Sequence, residues 1–270
     1  MLSPRPDTWN SGTLYEPYVG RWSRLVAKEF LSWLALPPGG RWVDCGCGTG
    51  ALTHTVLAET APARVVGVDI TEGYVAYARA QVNDDRVTFH VADVQSLTLD
   101  TATFDVAVSG LVLNFVPQAE RMIGEMVRVV RPGGTVALYV WDYAGEMQLM
   151  RHFWDAAVAL DLTATEQDEG RRFPICKPEP LAQLFTAASL QAVATRAIVV
   201  PTLFRDFDDY WTPFLSGQGP APGYVMSLTE ERRVALRERI RSTLPIAADG
   251  SISLVARVWA VQGTSAPRLG

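Results

Sequence analysis

The residues with the most chemical content form one short run, Val43-Asp44-Cys45-Gly46-Cys47-Gly48-Thr49-Gly50. Its glycines allow a tight turn and let a ligand approach the backbone closely. A helix starting just after it would offer unpaired N–H groups to a polar or anionic ligand. The run even satisfies G-x-G-x-x-A, ending at Ala51, which is a dinucleotide fingerprint. Three acids redirect that reading. Asp44 lies two residues before the first glycine, where a carboxylate repels a pyrophosphate and attracts a cation. Asp69 closes the stretch Val65-Val-Gly-Val-Asp69, about 20 residues past the glycines, the place of an acid that bonds ribose hydroxyls. Asp93, in Val91-Ala-Asp93, follows the next apolar run and suits an adenine amino group.

A ligand with an adenosine, a positive centre and no phosphate satisfies all three acids, and S-adenosylmethionine is such a ligand. Two other readings stand beside it. One is an NAD(P)-dependent oxidoreductase on the same loop, against which Asp44, Asp93 and the turn Arg131-Pro-Gly-Gly134 all count. The other is a non-catalytic protein that binds a nucleoside or the cofactor.

These residues need elements to hold them, and the pattern supplies an alternation. Apolar residues at helical spacing (Trp22, Leu25, Val26, Phe30, Trp33, Leu34) predict a helix over Tyr18–Leu36, stopped by Pro37-Pro38-Gly39-Gly40. Strands are expected at 42–45, 65–68, 87–91, 104–109 and 135–141. Helices are expected at 50–60, 72–82 (with Thr71 as N-cap) and 118–130, with 131–134 as a turn. Continuous apolar strands separated by helices imply a parallel sheet covered on both faces. Beyond Trp141 come helical residues 146–172, a helix over 178–189, and two late strands at 192–200 and 253–261. An insertion of about 50 residues separates those strands, long enough to serve as a lid.

Composition bounds the function. With 270 residues, 48% of them hydrophobic, the chain has ample material for a core. Its net charge of −5 disfavours a nucleic-acid partner. No apolar run is long enough to span a bilayer, and the N-terminus lacks a signal-peptide pattern. Three cysteines without a framework spacing fit a reduced, cytoplasmic protein.

Taken in order, VDCGCGTG, VVGVD, ADV, FDVAVS and VRVVRPGGTVAL resemble the class I S-adenosylmethionine-dependent methyltransferases. The likeness is nearest to the small-molecule branch that includes ubiquinone and menaquinone biosynthesis enzymes. It runs from about Tyr15 to Trp141, roughly half the chain. It implies an α/β fold with a Rossmann-like seven-stranded sheet, mostly parallel with the last strand antiparallel, carrying helical lid or cap insertions. On that pattern residues 1–270 form a single domain. N-terminal lid helices take 1–40, the cofactor-binding core 41–145, substrate caps 146–172 and 203–250, and the last strand 253–262. The implied reaction is methyl transfer by in-line displacement to a small, planar or lipophilic acceptor, with S-adenosyl-L-homocysteine as product and no metal. Carried over by position, Asp44 and the Gly46, Cys47, Gly48 and Gly50 backbone hold the methionine end. Asp69 holds the ribose, Ile70 packs on the adenine, Asp93 takes its amino group and Val94 gives a backbone N–H. Ser109 lies on the sulfur side. Tyr15-Glu-Pro-Tyr-Val-Gly-Arg-Trp-Ser23 resembles a lid in which Tyr15 and Arg21 close over the cofactor, Arg21 pairing with its carboxylate.

Further candidates are less sharply placed. Tyr15, Trp22, Phe115, Trp141 and Tyr143 are aromatics available to a sulfonium. His152 is the general-base candidate, whereas His54 and His90 read as structural. Asp142, Tyr143 and Glu146 follow the fifth strand, where open α/β sheets place ligands. Cys45 and Cys47 have no second ligand pair at zinc spacing. The charged helix 230–241 reads as a solvated face. The run Phe204, Phe207, Tyr210, Trp211, Phe214 has helical spacing and reads either as core or as a hydrophobic cap over a substrate.

Overall fold

The computed structural model describes residues 16–217 and 219–266, so Tyr15 lies outside the described residues. The elements alternate as the pattern requires: α1 (Arg21–Leu34), β1 (Arg41–Cys45), α2 (Ala51–Glu59), β2 (Arg64–Asp69), α3 (Glu72–Gln81), β3 (Val87–Val91), β4 (Phe104–Gly110), α4 (Ala119–Val129) and β5 (Val130–Trp141). Then come α5 (Gln148–Leu160), α6 (Glu169–Arg172), α7 (Pro178–Ala187), β6 (Gln191–Phe204), α8 (Phe207–Trp211), α9 (Pro220–Ser227), α10 (Glu230–Thr243) and β7 (Ile252–Thr264). The seven strands form one sheet in the order β3-β2-β1-β4-β5-β7-β6. β1 to β5 pair in parallel, and β7 returns antiparallel along β5 from Trp141↔Val258 to Thr135↔Thr264. The expected mixed seven-stranded sheet is the one observed.

By contact the chain divides into two compact units. The larger holds residues 22–141, 175–198 and those from 258. Its core is the inner sheet, with Trp42, Val43, Val65, Val68, Ala107, Val108, Val136 and Leu138 buried. Helix α1 contributes a stripe of buried residues at i, i+4 and i+8, Trp22, Val26 and Phe30. The Phe30 ring meets Tyr139 of β5 edge-on at 4.8 Å.

Two boundaries differ from the sequence pattern. A π-helical turn at Glu16–Gly20 precedes α1, so the α-helix starts at Arg21 rather than Tyr18. Gly20 is a poor helix former, which disfavours a regular α-helical ladder there. The expected turn at 131–134 instead falls inside β5 as a bulge. The partners of β4 jump from Phe104↔Val130 to Val106↔Thr135, leaving those residues out of step. Gly133 takes φ +77°, and a side chain on Gly134 would strike Val130 and the Asp105 carbonyl.

The second unit holds residues up to Arg21, 142–174 and 199–257. Its core is aromatic. Phe153 stacks on Phe214 at 4.6 Å, Tyr18 meets Phe214 at 5.5 Å, and the Tyr210 hydroxyl donates to the Leu149 carbonyl at 2.8 Å. The run from Phe204 to Phe214 is therefore core here, with every ring buried, and it is split between α8 and a 3-10 turn at Thr212–Ser216. Charged ties brace this core. Asp168 pairs with Arg151 at 2.8 Å, and Glu169 accepts the Trp154 indole N–H at 2.7 Å.

Two glycines give opposite expectations. A methyl group at Gly67, in β2, would fall 2.5 Å from the Phe89 ring and 3.2 Å from the Cys47 side chain. Gly67→Ala is expected to cost about 1–3 kcal/mol through overpacking. Gly124, exposed in α4, has open space where its side chain would stand. Gly124→Ala is expected to gain about 0.5–1 kcal/mol. Urea unfolding of the two variants checks both signs.

Candidate functional site

In the larger unit the glycine run links the end of β1 to the start of α2. Gly46 and Cys47 donate their N–H groups to the Val68 carbonyl at 2.7 and 2.8 Å. Gly46, Gly48 and Gly50 all take positive φ (79°, 51° and 86°), the left-handed region open to glycine. A side chain on Gly46 would come within 2.6 Å of Val112, so the chain after β4 packs directly on the loop.

Asp44 sits at the end of β1 and is 1% exposed. Its Oδ2 accepts the Thr53 hydroxyl at 2.7 Å, while its Oδ1 has no hydrogen-bond partner. Burial pushes the carboxyl up to about 7, the nearby Asp69 adds to the rise, and the Thr53 bond opposes it. Asp69, at the end of β2, accepts the Gly48 N–H through Oδ2 at 2.9 Å and the Thr71 N–H through Oδ1 at 2.8 Å. Burial raises its pKa as well. Thr71 precedes α3 as expected, but its own side chain makes no cap bond.

The other residues of the site follow along the sheet. Ile70 is 66% exposed, an apolar surface left uncovered just past β2. Asp93 accepts the Gln95 backbone N–H at 2.8 Å and its side-chain amide at 3.1 Å, and Val94 is buried. Ser109, near the end of β4, is buried with an unpartnered Oγ. Two polar residues near these went unread in the sequence. Thr53 orients Asp44, and its signal was a hydroxyl on the first turn of α2. Asn114 lies in a 3-10 turn (Leu113–Phe115) beyond β4, with both amide atoms buried and unpartnered. Its signal was a single polar residue in Leu111-Val-Leu-Asn-Phe-Val116, just past a strand's carboxyl end.

The second unit holds several of the remaining candidates. Arg21 pairs with Asp209 at 3.0 Å, and its guanidinium lies 4.9 Å from the Phe204 ring centre. His152 is half-buried on α5; burial lowers its pKa, with Asp155 opposing. Asp142 is a brace. It accepts from Arg257 at 2.8 Å and from the Gly145 and Glu146 N–H groups at 3.1 and 2.9 Å, and Glu146 also pairs with Arg257 at 3.4 Å. The Tyr143 ring lies 5.6 Å from Phe173. On α10, Arg237 and Arg241 cover Phe207 at 5.1 and 5.2 Å. Cys45, Cys47 and Cys176 are buried free thiols, and burial raises the first two well above the ordinary range. Among the described residues no cluster of histidine, cysteine and acids could hold a metal, and no helix is long and apolar enough to cross a membrane.

This geometry can be set beside known proteins. Residues 43–138 match the family described as "Methyltransferase domain". The chain is 33% identical over 121 residues to a demethylmenaquinone methyltransferase of Symbiobacterium thermophilum, covering 43% of this chain and 48% of that protein. It is 27% identical over 258 residues to a 2-methyl-6-phytyl-1,4-hydroquinone methyltransferase of Synechocystis, covering 85% of this chain and 80% of that one. The first match thus spans about half of the relative's length. A solved phosphoethanolamine N-methyltransferase 2 of Haemonchus contortus shares the fold, with a TM-score of 0.57 at 16% identity over 90% of this chain and 53% of that one.

The buried Asp44 gives the larger unit a pH signature. The folded-state pKa of about 7 lies above the ordinary carboxylate value near 4. Between those pH values the folded protein keeps a proton that the unfolded chain releases. The stability contributed by this proton is full below about pH 4 and lost by about pH 7. Wild type is therefore expected to lose stability relative to Asp44→Asn across that window, with no further change above it. Urea unfolding of both proteins at stepped pH measures the difference.

Proposed function

We propose that the protein moves a methyl group from S-adenosyl-L-methionine to a small-molecule acceptor by in-line displacement, releasing S-adenosyl-L-homocysteine. The observation that carries this reading is the half-paired, buried carboxylate of Asp44 beside three left-handed glycines. A carboxylate there would repel a pyrophosphate, which argues against a nicotinamide dinucleotide, and would attract a cationic ligand. The unpartnered Ser109 Oγ on β4 supports the same fit.

In this reading Asp44 and the backbone of Gly46, Cys47, Gly48 and Gly50 hold the methionine end. Asp69 takes the ribose; each of its oxygens accepts one N–H and keeps a lone pair for a hydroxyl. Ile70 packs on the adenine, Asp93 bonds its amino group, and Val94 supplies an N–H. Ser109 borders the sulfur. Arg21, to take the cofactor's carboxylate, would exchange it for that of Asp209. When bound, the cofactor supplies a methyl group already activated by a cationic sulfur. The protein's own task is then to align the acceptor and keep water out.

The second unit is assigned to acceptor recognition, through residues 146–172 and 203–250. The quinone-related names of two relatives support a planar or lipophilic acceptor. Where the acceptor must lose a proton, His152 is the candidate base, since burial favours the neutral imidazole that can accept one. The reading describes a cytoplasmic biosynthetic enzyme with no metal.

Calorimetry is expected to show S-adenosylmethionine binding at 1:1 stoichiometry and weaker binding by Asp69→Ala. Because the attraction needs an ionised Asp44, affinity should rise as pH increases through about 7. Asp44→Asn should flatten that rise. Binding of NAD without binding of S-adenosylmethionine would sink the proposal. Turnover separates an enzyme from a non-catalytic binder: small-molecule extract fractions should yield S-adenosylhomocysteine.

A further inference from the structure

We infer that Asn114 is a binding residue for the α-amino-acid end of the cofactor, its side-chain amide serving the ammonium and the carboxylate together. The inference rests on the methyltransferase reading above. Asn114 stands in the short turn beyond β4, and the residue two before it, Val112, packs on Gly46 of the glycine loop. The turn and the loop are thus in contact within the same unit. Among the described residues, Asn114 is the one side chain for which both a buried nitrogen and a buried oxygen lack partners. A buried amide left unpaired at both its donor and its acceptor is costly. Because both ends are unpaired, either orientation of the amide leaves one donor and one acceptor to satisfy.

The chemistry of the missing partner follows from that inventory. It must bring an acceptor to Nδ2 and a donor to Oδ1. A zwitterionic amino acid carries both on one carbon, as a carboxylate and an ammonium. The remaining orphaned oxygen of the loop, Oδ1 of Asp44, is an acceptor and suits the same ammonium. Asp44 cannot serve a carboxylate, and Arg21 already holds the carboxylate of Asp209. Asn114 Nδ2 is thus the buried neutral donor beside the loop that a ligand carboxylate can use without displacing a protein partner.

The test compares two ligands that differ at this end. S-adenosylhomocysteine carries the amino acid; 5′-methylthioadenosine does not. Their affinities are measured by calorimetry on wild type, Asn114→Ala and Asn114→Asp. Asn114→Ala is expected to bind S-adenosylhomocysteine about tenfold or more weakly, the effect of hydrogen bonds to charged groups. Its affinity for 5′-methylthioadenosine should stay within about twofold, which also reports an intact fold. Asn114→Asp keeps the shape but opposes the ligand carboxylate, so it should weaken S-adenosylhomocysteine further still. Equal losses for both ligands, or no loss for either, overturn the assignment. Failure of wild type to bind S-adenosylhomocysteine overturns the underlying reading instead.

Discussion

The carbonyl of Val68 and the carboxylate of Asp69 form one clasp on which the site depends. Between them they accept four backbone N–H groups, from Gly46, Cys47, Gly48 and Thr71. The first three belong to the loop after β1, and the acceptors belong to the end of β2. Neighbouring parallel strands are thus tied where they end, and the loop is held in a left-handed path that non-glycine residues would resist. The clasp also explains why Asp69 tolerates burial. Its charge is met by oriented N–H dipoles rather than by a cation. Asp44, one strand over, has only the Thr53 hydroxyl, and its proton is correspondingly harder to remove.

Much of this was legible in the sequence because buried parallel strands read as continuous apolar runs. Val43, Val65–Val68 and Val106–Val108 announce themselves in that way, and the glycines mark where the chain turns. The edges were less readable. β6 reaches Phe204, beyond the expected Val200, because its outer face exposes Val199 and Leu203 and so lacks a clean alternation of polar and apolar positions. The bulge at 131–134 looked like a free turn because Pro132, Gly133 and Gly134 dominate its composition. Only the pairing with β4, and the bonds that join Gly133 and Gly134 to Ser265, show that it belongs to the ladder.

At the candidate site, the residues that sequence points to are those placed by their position along a strand. The contacts it does not show depend on what surrounds each residue in space. Arg21 and Asp209 are 188 residues apart, and no local pattern connects them. Asn114 is conspicuous for the bonds it lacks, a property that sequence does not record. The aromatic run of the second unit was readable as helical, but whether its rings faced a core or a ligand required their packing partners.

The two units are woven from one thread. The larger needs three separate stretches of chain, and the boundary between units is crossed at Arg21, Trp141, Pro174, Ile198 and Arg257. β6 and β7 each begin in one unit and end in the other. A fragment stopping at Trp141 would contain most of the motif yet leave β5 as an open edge, without the antiparallel β7 that covers it. Neither unit can be excised as a contiguous piece or exchanged as a cassette. Pairing over such long sequence separations also places this fold among those that assemble slowly.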